Sequence, residues 1–122
     1  MVLMDSSGIV RDWSSGYERI TGLSKKAVVG KKHIWEVAEM LFPKGLRTQE
    51  ECDAMVADLK EMVAGKQQTN IVRHIKHTKT GEYRVFNVHY FPVEMPDGMM
   101  MGGITRDISD ETKYRETGRY KK

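Results

Sequence analysis

The side chains of this 122-residue chain best suited to chemistry are four histidines, five tyrosines and one cysteine. Their spacing narrows what they can do. His74 and His77 stand three apart in a strand-like run, so they point to opposite faces and do not readily chelate one ion. Cys52 lies on the apolar face of a helical pattern and reads as a small core residue rather than a nucleophile. There is no Gly-rich phosphate loop, no Gly-x-Ser-x-Gly elbow and no His-Glu-x-x-His helix, and Gly102-Gly103 lacks the strand-to-helix setting of a phosphate loop. A sheet enzyme using His74 and Tyr90 is the least supported class, because nothing assembles a base, a nucleophile and an oxyanion site. Binding, not catalysis, is the chemistry to expect. Met99-Met100-Met101 fits that expectation as pliable packing at a cavity or interface.

The elements that must position these residues follow from local signals. Asp5-Ser6-Ser7-Gly8 separates two short apolar runs and predicts a hairpin. Ser15 with Glu18 predicts a capping box, with Gly22 ending the short helix. An apolar stretch from Ile34 to Phe42 ends at Pro43 and Gly45. The strongest helix runs from Thr48 to Ala64: Thr48 and Glu51 form a second capping box, and Cys52, Met55, Val56, Leu59, Met62 and Val63 share one face. Strands are expected at Thr69–Thr78, Tyr83–Glu94 and Met99–Ile108, joined by turns at Lys79-Thr80-Gly81 and Pro96-Asp97-Gly98. Gly102 and Gly103 would weaken an ordinary strand, so they mark either a bulge or close approach by a backbone or bound group.

A hydrophobic share of 39% with 30% charged residues fits one soluble globular domain with a modest core. No apolar run is long enough to span a bilayer, and one cysteine makes no internal disulfide, which fits a reducing, cytoplasmic setting. The net charge of +3 sits largely in a basic tail and does not argue for nucleic acid. Entry into a strand almost at once and an ending inside a polar segment lead us to expect one domain over 1–110 and the start of a polar linker over 111–122, cut from a longer protein.

The order of strand, tight turn, longer strand, Pro-Asp-Gly turn, strand and polar helix resembles the C-terminal half of a PAS domain. Arg106-Asp107-Ile108-Ser109 is similar to that family's Asp-Ile-Thr ending, with Ser for Thr, and Ile9-Val10-Arg11-Asp12-Trp13, Gly16 to Leu23 and Val29-Gly30-Lys31 resemble its opening strand and short helices. The resemblance covers roughly residues 2–112. It implies an α+β fold, a five-stranded antiparallel sheet with helices on one face, and a ligand cavity between them.

Registering the family pattern on Gly81 and Pro92 places Phe86, Val88 and Tyr90 inward, with Val72, His74 and Lys76 from the strand before and Met101, Gly103 and Thr105 from the last. The implied ligand-binding set is His74, Lys76, Phe86, Val88, Tyr90, Thr105, Met55 and Leu59. His74 and Lys76 stand where family members are apolar. Two readings follow: an anionic or strongly polar ligand, or Lys76 snorkelling to water while His74 bonds a carbonyl. Flavin-adduct chemistry is not expected, because His33 occupies the place of the reactive cysteine. Haem is not expected either, because Thr48–Ala64 carries no histidine. The cofactor stays unknown, and purified protein should show no visible band. No metal site is expected, His77 and His89 being at most a surface pair. The outer face, with Val85, Asn87, His89 and Phe91, is expected to join the tail in a homodimer contact. The implied function is a sensory domain that binds a small molecule and relays the signal to a fused effector such as a histidine kinase. The alternative is a dimerisation module without ligand.

Overall fold

A computed structural model describes residues 1–42, 48–66 and 68–110. Pro43, Gly45 and the tail expected to serve as a linker lie outside the described residues. The chain forms β1 (Val2–Met4), β2 (Val10–Trp13), α1 (Ser15–Thr21), α2 (Lys25–Val28), α3 (Ile34–Leu41), α4 (Gln49–Val63), β3 (Gln68–Lys76), β4 (Tyr83–Met95) and β5 (Gly98–Asp107). The five strands make one antiparallel sheet in the order β2-β1-β5-β4-β3, with β5 at its centre. The helices lie between β2 and β3 in sequence, and their buried residues join those of the sheet in a single core.

Local chemistry explains the starts and stops. In the first hairpin, Asp5 Oδ1 accepts from the backbone N–H groups of Ser7 and Ile9, and Arg11 holds Oδ2 at 2.7 Å. Thr48 caps α4 by accepting from Glu51 N–H, while the Glu51 carboxylate accepts from Thr48 N–H, as the spacing predicted. The cap of α1 is one residue earlier than expected. Ser14, not Ser15, accepts from Tyr17 N–H, and Glu18 instead accepts from Lys25 N–H and so supports the start of α2.

α4 turns Met55, Leu59, Met62 and Val63 into the core. Opposite them, β4 contributes Phe86, Val88 and Tyr90, and β1, β2 and β5 contribute Val2, Met4, Val10, Trp13 and Met101. Burying this apolar surface is the main force joining sheet and helices, at about 1.5–3 kcal/mol for each large side chain.

Gly102 and Gly103 are neither bulged nor backed by another chain segment. The β4–β5 ladder runs in unbroken register across them. A Cβ on Gly103 would lie 2.9 Å from Val2 and 3.1 Å from Tyr90, and one on Gly102 would lie 3.1 Å from Phe91. Side chains of the flanking strands fill the space, so the pair accommodates large neighbours at the centre of the sheet.

Candidate functional site

Directly paired residues of an antiparallel sheet share a face. Phe86 pairs with Arg73 and Asp107, Val88 with Ile71 and Thr105, and Tyr90 with Gln68 and Gly103. The helix-facing surface therefore carries Phe86, Val88 and Tyr90 from β4, and Met101, Gly103 and Thr105 from β5. From β3 it carries Ile71, Arg73 and Ile75.

The β3 assignment differs from the sequence expectation by one residue. Val72, His74 and Lys76 pair with Asn87, Val85 and Tyr83 and belong to the outer face. Lys76 and Val72 are exposed there. His74 borders the cavity, but its ring tilts against Tyr83 at 5.6 Å between centroids and hydrogen-bonds the Tyr83 hydroxyl. The reason lies in the turn. Six residues, His77 to Glu82, separate the paired ends Lys76 and Tyr83, so odd positions of β3 share a face with even positions of β4. His77 N–H donates to Glu82 O at 2.8 Å and Gly81 N–H to His77 O at 2.9 Å, which fixes that count. The alternation of Ile71 and Ile75 around Arg73 was the signal for this register.

A cavity of about 70 Å³ lies between the sheet and the helices. Its wall is largely apolar, with Ile34, Val37, Leu41 and Met55 from the helices and Ile75, Phe86 and Val88 from the sheet. Leu59 is fully buried in the core but does not reach this wall. Polar side chains also line it, among them Tyr17, Thr21, Arg73, His74, Tyr90 and Thr105. Thr105 and Tyr90 were expected, whereas Tyr17 and Arg73 were not. Tyr17 arrives on α1, and its hydroxyl is hydrogen-bonded to Thr105 of β5, a contact with no local sequence signal. Arg73 shares this wall with Tyr90, and its charge acts on the Tyr90 hydroxyl.

Electrostatics keeps both phenols protonated. Burial pushes the Tyr90 hydroxyl above its ordinary value, against the opposing pull of the Arg73 charge. Burial also raises Tyr17, partly offset by the bond to Thr105. The cavity thus presents two phenolic hydroxyls and one guanidinium in an aliphatic enclosure. It can hold and orient a small molecule but contains no nucleophile paired with a base.

At the far end of β5 a second polar cluster joins the last strand to β4. Arg84 donates from Nε to Asp107 at 2.9 Å and from a terminal nitrogen to Glu82 at 2.7 Å. Ser109 accepts from Val85 N–H at 2.8 Å, and Ile108 N–H donates to Val85 O at 2.9 Å. The hydroxyl of Ser109 therefore has a defined task, which explains why Ser can stand for Thr in the ending. Burial alone would raise the Asp107 carboxyl, but hydrogen bonds from Ser109 and Arg84 outweigh it and hold the group low. Val85 is buried rather than open on the outer face, and Phe91 packs over Gly102. Exposed apolar groups on that face include Val72, Tyr83, Met95 and Ile104.

His33 and His77 are not idle surface groups. His33 Nδ1 pairs with the Glu36 carboxylate at 2.7 Å, and its ring stacks on Trp35. His77 Nε2 donates to Arg19 O at 3.0 Å, while Nδ1 accepts from the N–H groups of Lys79 and Thr80. Among the described residues, no helix is long and apolar enough to cross a membrane.

Among solved structures, the chain is similar to the PAS domain of an HTR-like protein from Haloarcula marismortui, with a TM-score of 0.61 at 15% identity over 88% of this chain and 83% of that one. It is also similar to the PAS domain of the RpfR quorum-sensing receptor of Cronobacter turicensis in complex with BDSF, with a TM-score of 0.57 at 19% identity over 88% and 90%. A light-oxygen-voltage domain studied with a flavin analogue gives a TM-score of 0.61 at 18% identity over 99% and 87%. At these identities the likeness is one of fold. No curated protein matches the chain significantly. The family model described as PAS domain matches residues 1–110, and with the five-stranded sheet and its flanking helices it shows that the chain belongs to the PAS-domain family, whose members are sensory modules.

Proposed function

We propose that this PAS domain binds a small molecule in the cavity between sheet and helices and relays occupancy through β5 to a fused effector. The observation that carries the reading is the polar lining. An inward arginine on the same wall as a buried tyrosine, beside a second buried tyrosine bonded to the central strand, is more than a filled core requires. Thr105 belongs to β5, so a ligand competing for the Tyr17 hydroxyl acts directly on the strand that leads to the tail. A receptor PAS domain of similar fold forms a complex with BDSF, which supports the reading of a small-molecule ligand. A histidine kinase is the effector we favour, in a cytoplasmic setting that fits the single cysteine.

A second reading has its own support. A cavity of about 70 Å³ is well below the ~300–1,000 Å³ of a drug-sized site, and Ile104 on the outer face is 53% exposed. An interaction module that dimerises through that face would look the same.

Thermal denaturation of the full chain with a panel of small metabolites separates the two. A ligand at 100 times its Kd adds about 2.7 kcal/mol and raises Tm by several degrees. We expect at least one such compound, and we expect Val88→Phe, which narrows the cavity, to abolish its effect. No response to any compound, with a dimer in sedimentation that Ile104→Asp disrupts, would select the interaction module.

A further inference from the structure

We propose that the cavity is built for a short-chain monocarboxylate, its carboxylate on Arg73 and its alkyl group against the aliphatic wall. This deepens the ligand reading above and rests on it.

Size sets the first limit. One water needs about 10–15 Å³ of such cavity space, so 70 Å³ holds about five to seven waters and suits a small molecule. Acetate and propionate are of that size. Chains much longer, or rings, need the helices to move away.

Charge sets the second limit. Among the described residues no carboxylate lies within ion-pair distance of Arg73. Its side chain nevertheless lies along the cavity, half-buried. A guanidinium has five N–H donors in a planar fork, and among the described residues no carboxylate takes up those of Arg73. Partial burial makes an uncompensated cation costly, and a carboxylate accepted bidentately offsets that cost.

The third limit comes from what is not beside Arg73. Lys76 is exposed on the outer face, and His74 is turned to Tyr83. Among the described residues Arg73 is the one guanidinium or ammonium group lining the cavity, which matches one negative charge better than two. Tyr17 and Tyr90 are protonated hydroxyls, so neither repels an anion. The remaining wall is apolar and favours a methyl or ethyl group over hydroxylated chains.

Calorimetric titration of the full chain with propionate, and in parallel with propionamide, succinate and hexanoate, tests this. We expect saturable one-site binding of propionate, with each of the other three at least tenfold weaker. Arg73→Met should abolish propionate binding, and Arg73→Lys should retain part of it. Apo Tm values report whether either variant is misfolded, and Arg73→Gln serves if Arg73→Met is. Propionamide binding as tightly as propionate, or propionate binding unchanged in a folded Arg73 variant, overturns the carboxylate assignment while leaving a cavity ligand in place. Absence of propionate binding also overturns it. If no compound of the wider panel binds either, the ligand reading itself fails.

Discussion

Arg84 of β4 and Arg73 of β3 stand on neighbouring strands and share the register of the helix-facing surface, since Arg84 pairs with Ile75 and Arg73 with Phe86. Arg84 meets two carboxylates, Glu82 and Asp107, at the end of the sheet. Arg73 meets one neutral phenol at the wall of a cavity. The difference teaches how to read a cation on a sheet. A guanidinium with its fork filled by carboxylates fastens strands together, and what it contributes is order. One left with spare donors over a void is a cost to the apo fold, so it is better explained by a partner that arrives later.

The comparison can be broken first at the Arg84 end. Ser109→Ala removes the acceptor for the buried Val85 N–H, and stability should fall by about 1–3 kcal/mol in denaturant unfolding. An unchanged midpoint would mean the ending is not held by that hydroxyl. Arg84→Met should cost about 1 kcal/mol, because its pairs are partly exposed and screened. Arg73→Met should leave apo stability unchanged within about 0.5 kcal/mol or raise it, as an unpaired half-buried charge is exchanged for an apolar chain. The opposite order of the two midpoints would contradict the contrast.

Smaller effects sharpen it. Tyr90→Phe removes the phenol hydroxyl on the cavity wall that Arg73 shares, so the apo protein should lose no more than about 1 kcal/mol. Propionate affinity should fall only a few-fold, since the charge remains, and a total loss would place the phenol rather than the guanidinium at the centre of the site. Acid should weaken the structural clusters alone. The folded-state values of Asp107 and Asp5 are depressed, Asp5 to about 2, so their contribution is full above the unfolded carboxylate value and is lost as pH falls through the folded one. Tm should therefore decline between about pH 4 and pH 2. Asp107→Asn should make that decline shallower, and an unaltered slope would remove Asp107 from it.

Much of this architecture was legible before the structure, and the failures have a common cause. β4 was placed on the correct face because Gly81 and Pro92 anchor it, and α4 because its cap and its apolar stripe agree. Both signals are local. The face of β3 depends on how many residues the turn closes over, and Arg73 between Ile71 and Ile75 obscured the alternation that marks it, against the rule that apolar groups point in. Tyr17 and Thr105 are 88 residues apart, and only the packed tertiary structure joins them. On β3 the residues expected inward were Val72, His74 and Lys76, and the register turns Ile71, Arg73 and Ile75 inward instead.

The most direct measurement follows the Nε–H resonances of the two arginines by nitrogen-correlated NMR as propionate is added to the full chain. The account predicts that the Arg73 signal moves saturably with the ligand while the Arg84 signal stays in place. Movement of Arg84 instead, or no movement of Arg73 at saturating propionate, would contradict it.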